Sequence, residues 1–62
     1  MQKNGARDEL VAELREDVGY WGMVGNDQNL TDAVDGAHAL ENGAPSVQVG
    51  HTVYVVDEPT DT

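Results

Sequence analysis

The spacing of apolar residues changes at Ala44-Pro45, and this change restricts the fold class more than any other feature of the chain. Two stretches before it carry apolar residues at intervals of three and four, as on one side of a helix. After it the period becomes two: Ser46–Val49 alternates polar residues with valines, and in Thr52–Val56, beyond Gly50-His51, Val53 and Val55 share one face. That pattern predicts a β-hairpin with a tight II′-like turn. The chain is therefore predicted to combine helices with an antiparallel hairpin.

The first helix is predicted over residues 8 to 18 and the second over residues 30 to 42. Gly19 and Gly43 follow these stretches and are typical of helix C-terminal ends. Asn29 or Thr31 is available as the N-cap of the second helix. The two apolar stripes consist of Leu10, Val11, Leu14 and Val18 in the first helix and of Leu30, Ala33, Val34, Ala37 and Leu40 in the second.

Between the two helical stretches, Tyr20-Trp21-Gly22-Met23-Val24 contains two aromatic residues and a valine. These residue types favour a strand, and Gly25–Asn29 is a run of turn formers that predicts a chain reversal. With the hairpin, this segment would complete a sheet. The predicted fold is α+β: two helices packed on a small three-stranded sheet ending in a β-hairpin, in the order α-β-α-β-β.

The length of 62 residues and the absence of cysteine limit how stable this fold can be. A chain of this size buries only about 60% of its unfolded surface, and no disulfide can reinforce it. We predict a single small domain over residues 1–62, with residues 1–6 and 58–62 frayed. A marginal core also favours self-association.

Twelve acidic residues oppose three basic ones, for a net charge of -9. Such like charge opposes compaction, and molar salt weakens the repulsion because it shortens the screening length to about 3 Å. We interpret the composition as that of an extreme halophile, with an ordinary small acidic protein as the alternative. No stretch has the apolar length of a membrane span or the pattern of a signal peptide. The expected location is therefore cytoplasmic.

Few polar residues are arranged as a catalytic or metal site requires. Without cysteine, thiol nucleophiles, redox chemistry and thiolate metal sites are excluded. Asp35, His38 and Glu41 share one predicted helical face and could offer ligands to a metal, but we prefer to interpret them as a solvated polar face in which His38 relieves acidic crowding. Asp27, Asp32 and Asp35 lack the spacing of a calcium loop and fit helix capping better. We predict no enzyme, no cofactor, no metal and no specific small molecule.

The remaining candidates are apolar residues that could contact another protein. Tyr20 and Trp21 are either core anchors or exposed anchors for a partner, since both residue types dominate interface hot spots. The edge of the hairpin offers a second surface. The predicted interaction residues are Tyr20, Trp21, Met23, Val53, Tyr54 and Val55. The function that follows is a small non-enzymatic interaction, regulatory or accessory module that binds a protein partner or a second copy.

The segment 43–50, followed by Val53-Tyr54-Val55-Val56, resembles the wing hairpin of excisionase-like winged-helix DNA-binding proteins. The resemblance covers about a fifth of the chain and implies, as the alternative function, a DNA-binding regulator with a recognition helix just before the wing. The second predicted helix contains no arginine or lysine. Because phosphate attraction dominates non-specific DNA affinity, the acidic surface argues against nucleic acid and anionic membranes as partners.

Overall fold

The structure, a computed structural model, describes residues 1–57. Strand β1 spans Gln2–Gly5, helix α1 spans Arg7–Val24, helix α2 spans Asp27–Glu41, and strands β2 and β3 span Ser46–Val49 and Thr52–Val56. Two helices and a three-stranded sheet confirm the α+β class. The order is β-α-α-β-β, so the predicted order α-β-α-β-β was wrong. The predicted fraying of residues 58–62 lies outside the described residues.

The third strand comes from the start of the chain. The strand order is β1-β3-β2, with β1 parallel and β2 antiparallel to β3. The prediction that residues 1–6 fray was wrong for Gln2–Gly5. The Val53 N–H donates to the Met1 carbonyl at 2.8 Å, and the Asp57 N–H donates to the Gly5 carbonyl at 2.7 Å. Backbone bonds hold this strand on the open side of β3, so it needs no apolar alternation of its own.

Helix α1 continues through the segment that was predicted as a strand. Val18 and Trp21 extend the apolar stripe of Leu10 and Leu14 at helical spacing, and all four pack in or against the core. This packing outweighs the cost of about 1 kcal/mol that glycine brings to a helix interior. The helix ends only at Gly25, whose φ of 80° lets its N–H bond the Trp21 carbonyl at 3.0 Å.

Helix α2 begins three residues earlier than predicted, because Asn26 is its N-cap. The Asn26 side chain accepts a hydrogen bond from the Asn29 N–H at 3.1 Å. Only Gly25-Asn26 separates the two helices, which form an antiparallel αα-hairpin. At the other end, Asn42 is the C-cap and Gly43 has a φ of 103°.

The β2–β3 hairpin has the predicted strand limits. Val49 pairs with Thr52 across Gly50-His51. The φ of Gly50 is 61°, and the φ of His51 is not positive. A type II′ turn requires a positive φ only at the first of its two central residues, so the observed angles agree with this turn type.

The core lies between the helix pair and one face of the sheet. Its buried side chains are Leu10, Leu14, Ala33, Ala37, Leu40, Val49 and Tyr54. Gly36 is also buried, and a Cβ there would approach the Val47 Cγ2 atom to 3.3 Å. The glycine in the middle of α2 therefore allows this helix to pack closely on β2.

Candidate interaction surfaces

The end of α1 exposes a group of large apolar side chains. We call Tyr20, Trp21, Met23 and Val24 the helical tip. Tyr20 is 51% exposed, Met23 78% and Val24 51%. Trp21 is half-buried against the core, and its ring meets that of Tyr20 edge to face at 4.8 Å. Trp21 therefore attaches the tip to the core, whereas the other three side chains face solvent.

The helical tip is also free of charge. No acidic or basic residue stands between Asp17 in α1 and Asp27 at the start of α2. In a chain with a net charge of -9, the tip is therefore a neutral patch, with carboxylates flanking it at Asp17 and Asp27.

The six predicted interaction residues do not form one surface. Tyr20, Trp21 and Met23 belong to the helical tip. Tyr54 is 6% exposed and is part of the core, so its ring is not available to a partner. Val53 and Val55 point to the opposite face of β3, where they are half-buried. Alternation along the strand separates Tyr54 from both valines, although all three are adjacent in the sequence.

The Tyr54 hydroxyl joins the sheet to α1. It donates a hydrogen bond to the Asp17 Oδ2 atom at 2.6 Å. Burial raises the pKa of the Tyr54 phenol well above its ordinary value, and the hydrogen bond to the Asp17 carboxylate raises it further. The phenol is therefore held in its protonated, donating form, which fixes its ring in the core.

The three basic side chains of the chain are engaged with other groups of the molecule. Lys3 pairs with Glu13, and this hydrogen bond raises the pKa of the lysine. Arg15 crosses from α1 to Glu41 of α2 at 2.7 Å, in an exposed pair. The guanidinium of Arg7 donates to two backbone carbonyls near the C-terminal end of α2, those of Leu40 at 2.5 Å and Ala44 at 2.9 Å.

Strand β2 has an open edge. The Val56 N–H bonds the Pro45 carbonyl at 2.9 Å, and hydrogen-bonded pairs alternate along an antiparallel ladder. In this register Val47 and Val49 direct their backbone groups to β3, whereas Ser46 and Gln48 direct theirs away from the sheet. Within residues 1–57, no backbone hydrogen bond satisfies these outward groups.

A shallow cleft of about 280 Å³ runs between this edge and helix α2. It is lined by Asp32, Asp35, Gly36, Ala39, Val47 and Gln48. Sequence reasoning assigned the aspartates to capping and did not connect them with the strand. The available signal was the distance of three residues between Asp32 and Asp35, which places both on one side of a helix. Which strand lies beside that side is a tertiary property.

His38, which the sequence suggested as a possible metal ligand, lies exposed on α2. Glu41, its neighbour one turn on, is held by Arg15. In the part of the chain that the structure describes, no three histidine or acidic side chains are close enough to hold a metal ion. In the same part, neither helix combines the length and the apolar character needed to cross a bilayer.

Helix α2, the recognition helix that the winged-helix resemblance implies, uses Ala33, Gly36, Ala37 and Leu40 for the core. Its exposed positions include Asp35, His38 and Glu41. A helix that presents two carboxylates would meet electrostatic repulsion at a phosphate backbone.

Comparison with known proteins gave no matching family model, no matching curated protein and no matching solved structure at the significance required.

Proposed function

We propose that this chain is a small, acidic, non-enzymatic interaction module, adapted to concentrated salt, that associates with a second copy of itself through the helical tip. The observation that carries the proposal is the exposure of Tyr20, Met23 and Val24 side by side at an end of the helix pair. Large apolar side chains that are grouped and exposed are typical of interaction surfaces.

The charge distribution supports a second copy as the occupant. A basic partner would be expected to contact carboxylates, but the helical tip contains none. Another copy carries the same net charge of -9 and can approach with least repulsion where both surfaces are neutral.

The expected association is weak. Complete burial of one large apolar side chain is worth about 1.5–3 kcal/mol. Three side chains that are half or more exposed on each copy give roughly 5–10 kcal/mol before costs. Association itself costs about 4–15 kcal/mol. The balance predicts a dimer that forms only at high protein concentration, and more readily in molar salt, which screens the remaining repulsion.

Sedimentation equilibrium as a function of protein concentration in 2 M KCl tests this proposal. We expect a concentration-dependent dimer and a blue shift of the Trp21 emission on association, because its ring borders the contact. Met23→Glu places a charge in the contact and should abolish the dimer. Ala12→Glu adds the same charge at an exposed position of α1 away from the tip, and should preserve it.

A strict monomer at millimolar concentration in 2 M KCl would overturn the proposal. Equal loss of the dimer in Met23→Glu and Ala12→Glu would also overturn it, because charge alone would then explain the effect. Retarded migration of duplex DNA in a mobility-shift assay would favour the DNA-binding alternative instead.

A further inference from the structure

We propose that the cleft between β2 and α2 binds an extended peptide with basic side chains, which adds to the sheet as a fourth strand beside β2. This surface does not include the helical tip, so the inference goes beyond the proposed self-association and does not depend on it.

The backbone of β2 supplies the first half of the recognition. Among residues 1–57, nothing pairs with the outward N–H and C=O groups of Ser46 and Gln48, and an extended chain satisfies such groups by strand addition. Natural edge strands are often protected by charges or bulges. Strand β2 carries no charged residue, and within residues 1–57 its protection is limited to its short length and to Pro45 just before it.

Helix α2 supplies the second half. The opposite wall of the cleft carries the carboxylates of Asp32 and Asp35 together with the small residues Gly36 and Ala39. Neither carboxylate is joined to a basic side chain of residues 1–57. Small residues leave space beside the strand edge, and the carboxylates complement basic side chains that enter this space.

The spacing of the two carboxylates fits an added strand. Residues three apart on a helix have Cβ atoms about 5–6 Å apart. Side chains on the same face of a strand repeat every two residues, or about 6.8 Å. Two alternate lysines that face the helix can therefore reach both aspartates, while the residues between them lie beside Ser46 and Gln48 on the other face of the sheet.

The probe is the peptide Lys-Thr-Lys-Thr-Lys-Thr, acetylated and amidated at its ends. It is titrated into the isotope-labelled chain in the lowest KCl concentration at which the chain is folded. Amide resonances in two-dimensional NMR spectra report binding. We expect saturable shifts centred on Ser46, Gln48 and Asp35, and none with Glu-Thr-Glu-Thr-Glu-Thr. The peptide Lys-Lys-Thr-Thr-Lys-Thr has the same composition and charge, but no two of its lysines are two residues apart, and it should bind several-fold more weakly.

Gln48→Pro removes one outward N–H without removing a bond to β3, and should reduce affinity at least tenfold. Gln48→Ala retains that N–H and is its matched control, with affinity unchanged. If Gln48→Pro does not fold, the comparison of Asp35→Asn with Glu16→Gln replaces it. Both remove one negative charge, and only Asp35→Asn should weaken binding, by about two- to fivefold at low ionic strength.

Three results would overturn the inference: equal affinity for the alternating and rearranged peptides, shifts spread over the acidic surface, or full affinity in Gln48→Pro. The Met23→Glu variant should bind the peptide normally. Failure of peptide binding together with a tip-dependent dimer would refute this inference alone. Peptide binding by a strict monomer would refute only the proposed self-association.

Discussion

Substitution of Tyr54 by phenylalanine isolates the contribution of one hydrogen bond to the stability of this small domain. The ring is buried in the core, and phenylalanine preserves its packing. Only the hydroxyl is lost, which donates to the Asp17 carboxylate at 2.6 Å. Any loss of stability therefore reports that bond and not a cavity.

The expected loss is about 1.5–2 kcal/mol. A hydrogen bond to a charged group contributes about 1.5–3 kcal/mol, and the lower part of this range applies because the pair is only partly buried. A chain of 62 residues has a total stability of about 3–9 kcal/mol on the general per-residue scale. The Tyr54→Phe variant should remain folded, with a Tm lowered by about 5–15 °C.

The pH dependence of this difference can be derived from the raised pKa of Tyr54. The folded phenol holds its proton more tightly than the unfolded phenol, whose pKa is about 10. The stabilisation is therefore complete below pH 10 and is lost as the pH rises through the raised value. Above pH 10, the free energy of unfolding of the protein that contains Tyr54 decreases by up to about 1.4 kcal/mol per pH unit. The Tyr54→Phe variant has no phenol that titrates at this position. The difference between the free energies of unfolding of the two proteins should therefore decrease by about 1 kcal/mol between pH 7 and pH 11.

The measurement is urea unfolding at pH 7 and pH 11, followed by Trp21 fluorescence, with Tyr20→Phe present in both proteins. Tyr54 is then the only phenol. Asp17→Asn should destabilise the protein that contains Tyr54 and cost little in the Tyr54→Phe background. Equal stability of the two proteins at pH 7, or a difference that stays constant to pH 11, would refute the assigned role of the hydroxyl.

Three further predictions concern the packing of α2, its C-terminal end and the charge of the chain. Gly36→Val should lower the free energy of unfolding in urea by about 1–3 kcal/mol, because the added side chain overpacks the contact with β2. Gly19 has open space around it, so Gly19→Ala should raise the free energy of unfolding by up to about 1 kcal/mol. Equal effects of the two substitutions would contradict the close packing of Gly36 on β2. Arg7→Met retains the aliphatic stem but loses the hydrogen-bond donors to the Leu40 and Ala44 carbonyls, and should lower the free energy of unfolding by about 1–2 kcal/mol in the same assay. An unchanged free energy of unfolding would contradict a stabilising role for these two bonds. The Tm should rise between 0.1 and 2 M KCl because salt screens the net charge of -9; a constant or falling Tm would contradict adaptation to salt.

The hairpin was predictable because its determinants are local. Gly50 provides the positive φ that the turn needs, and the two-residue connection Gly50-His51 places Val49 opposite Thr52. The apolar stripe of α2 was predictable for the same reason. The start of the helix was not, because Asn26 and Asn29 are both acceptable N-caps and the observed start depends on the two-residue connection to α1.

The identity of the third strand could not be predicted from local pattern. Gln2–Gly5 contains no apolar residue and becomes a strand because the open side of β3, about fifty residues away in the chain, supplies its hydrogen bonds. The segment at Tyr20–Val24 has strand propensity, but Trp21 continues the stripe that packs on the core, so the helix extends through two glycines.

The sequence by itself determined the acidic, cysteine-free character of the chain, its two helical stripes and its hairpin, since each depends on composition or on residues close together. Only the tertiary structure decided which apolar residues remain exposed and which strands lie at the edges of the sheet. Tyr54 and Val53 differ in burial because one face of β3 lies on the helices. The cleft beside Gln48 exists because Gly36 lets α2 approach β2 while Asp32 and Asp35 stay at its margin. Both candidate surfaces therefore arise from packing between distant parts of the chain, which no local pattern contains.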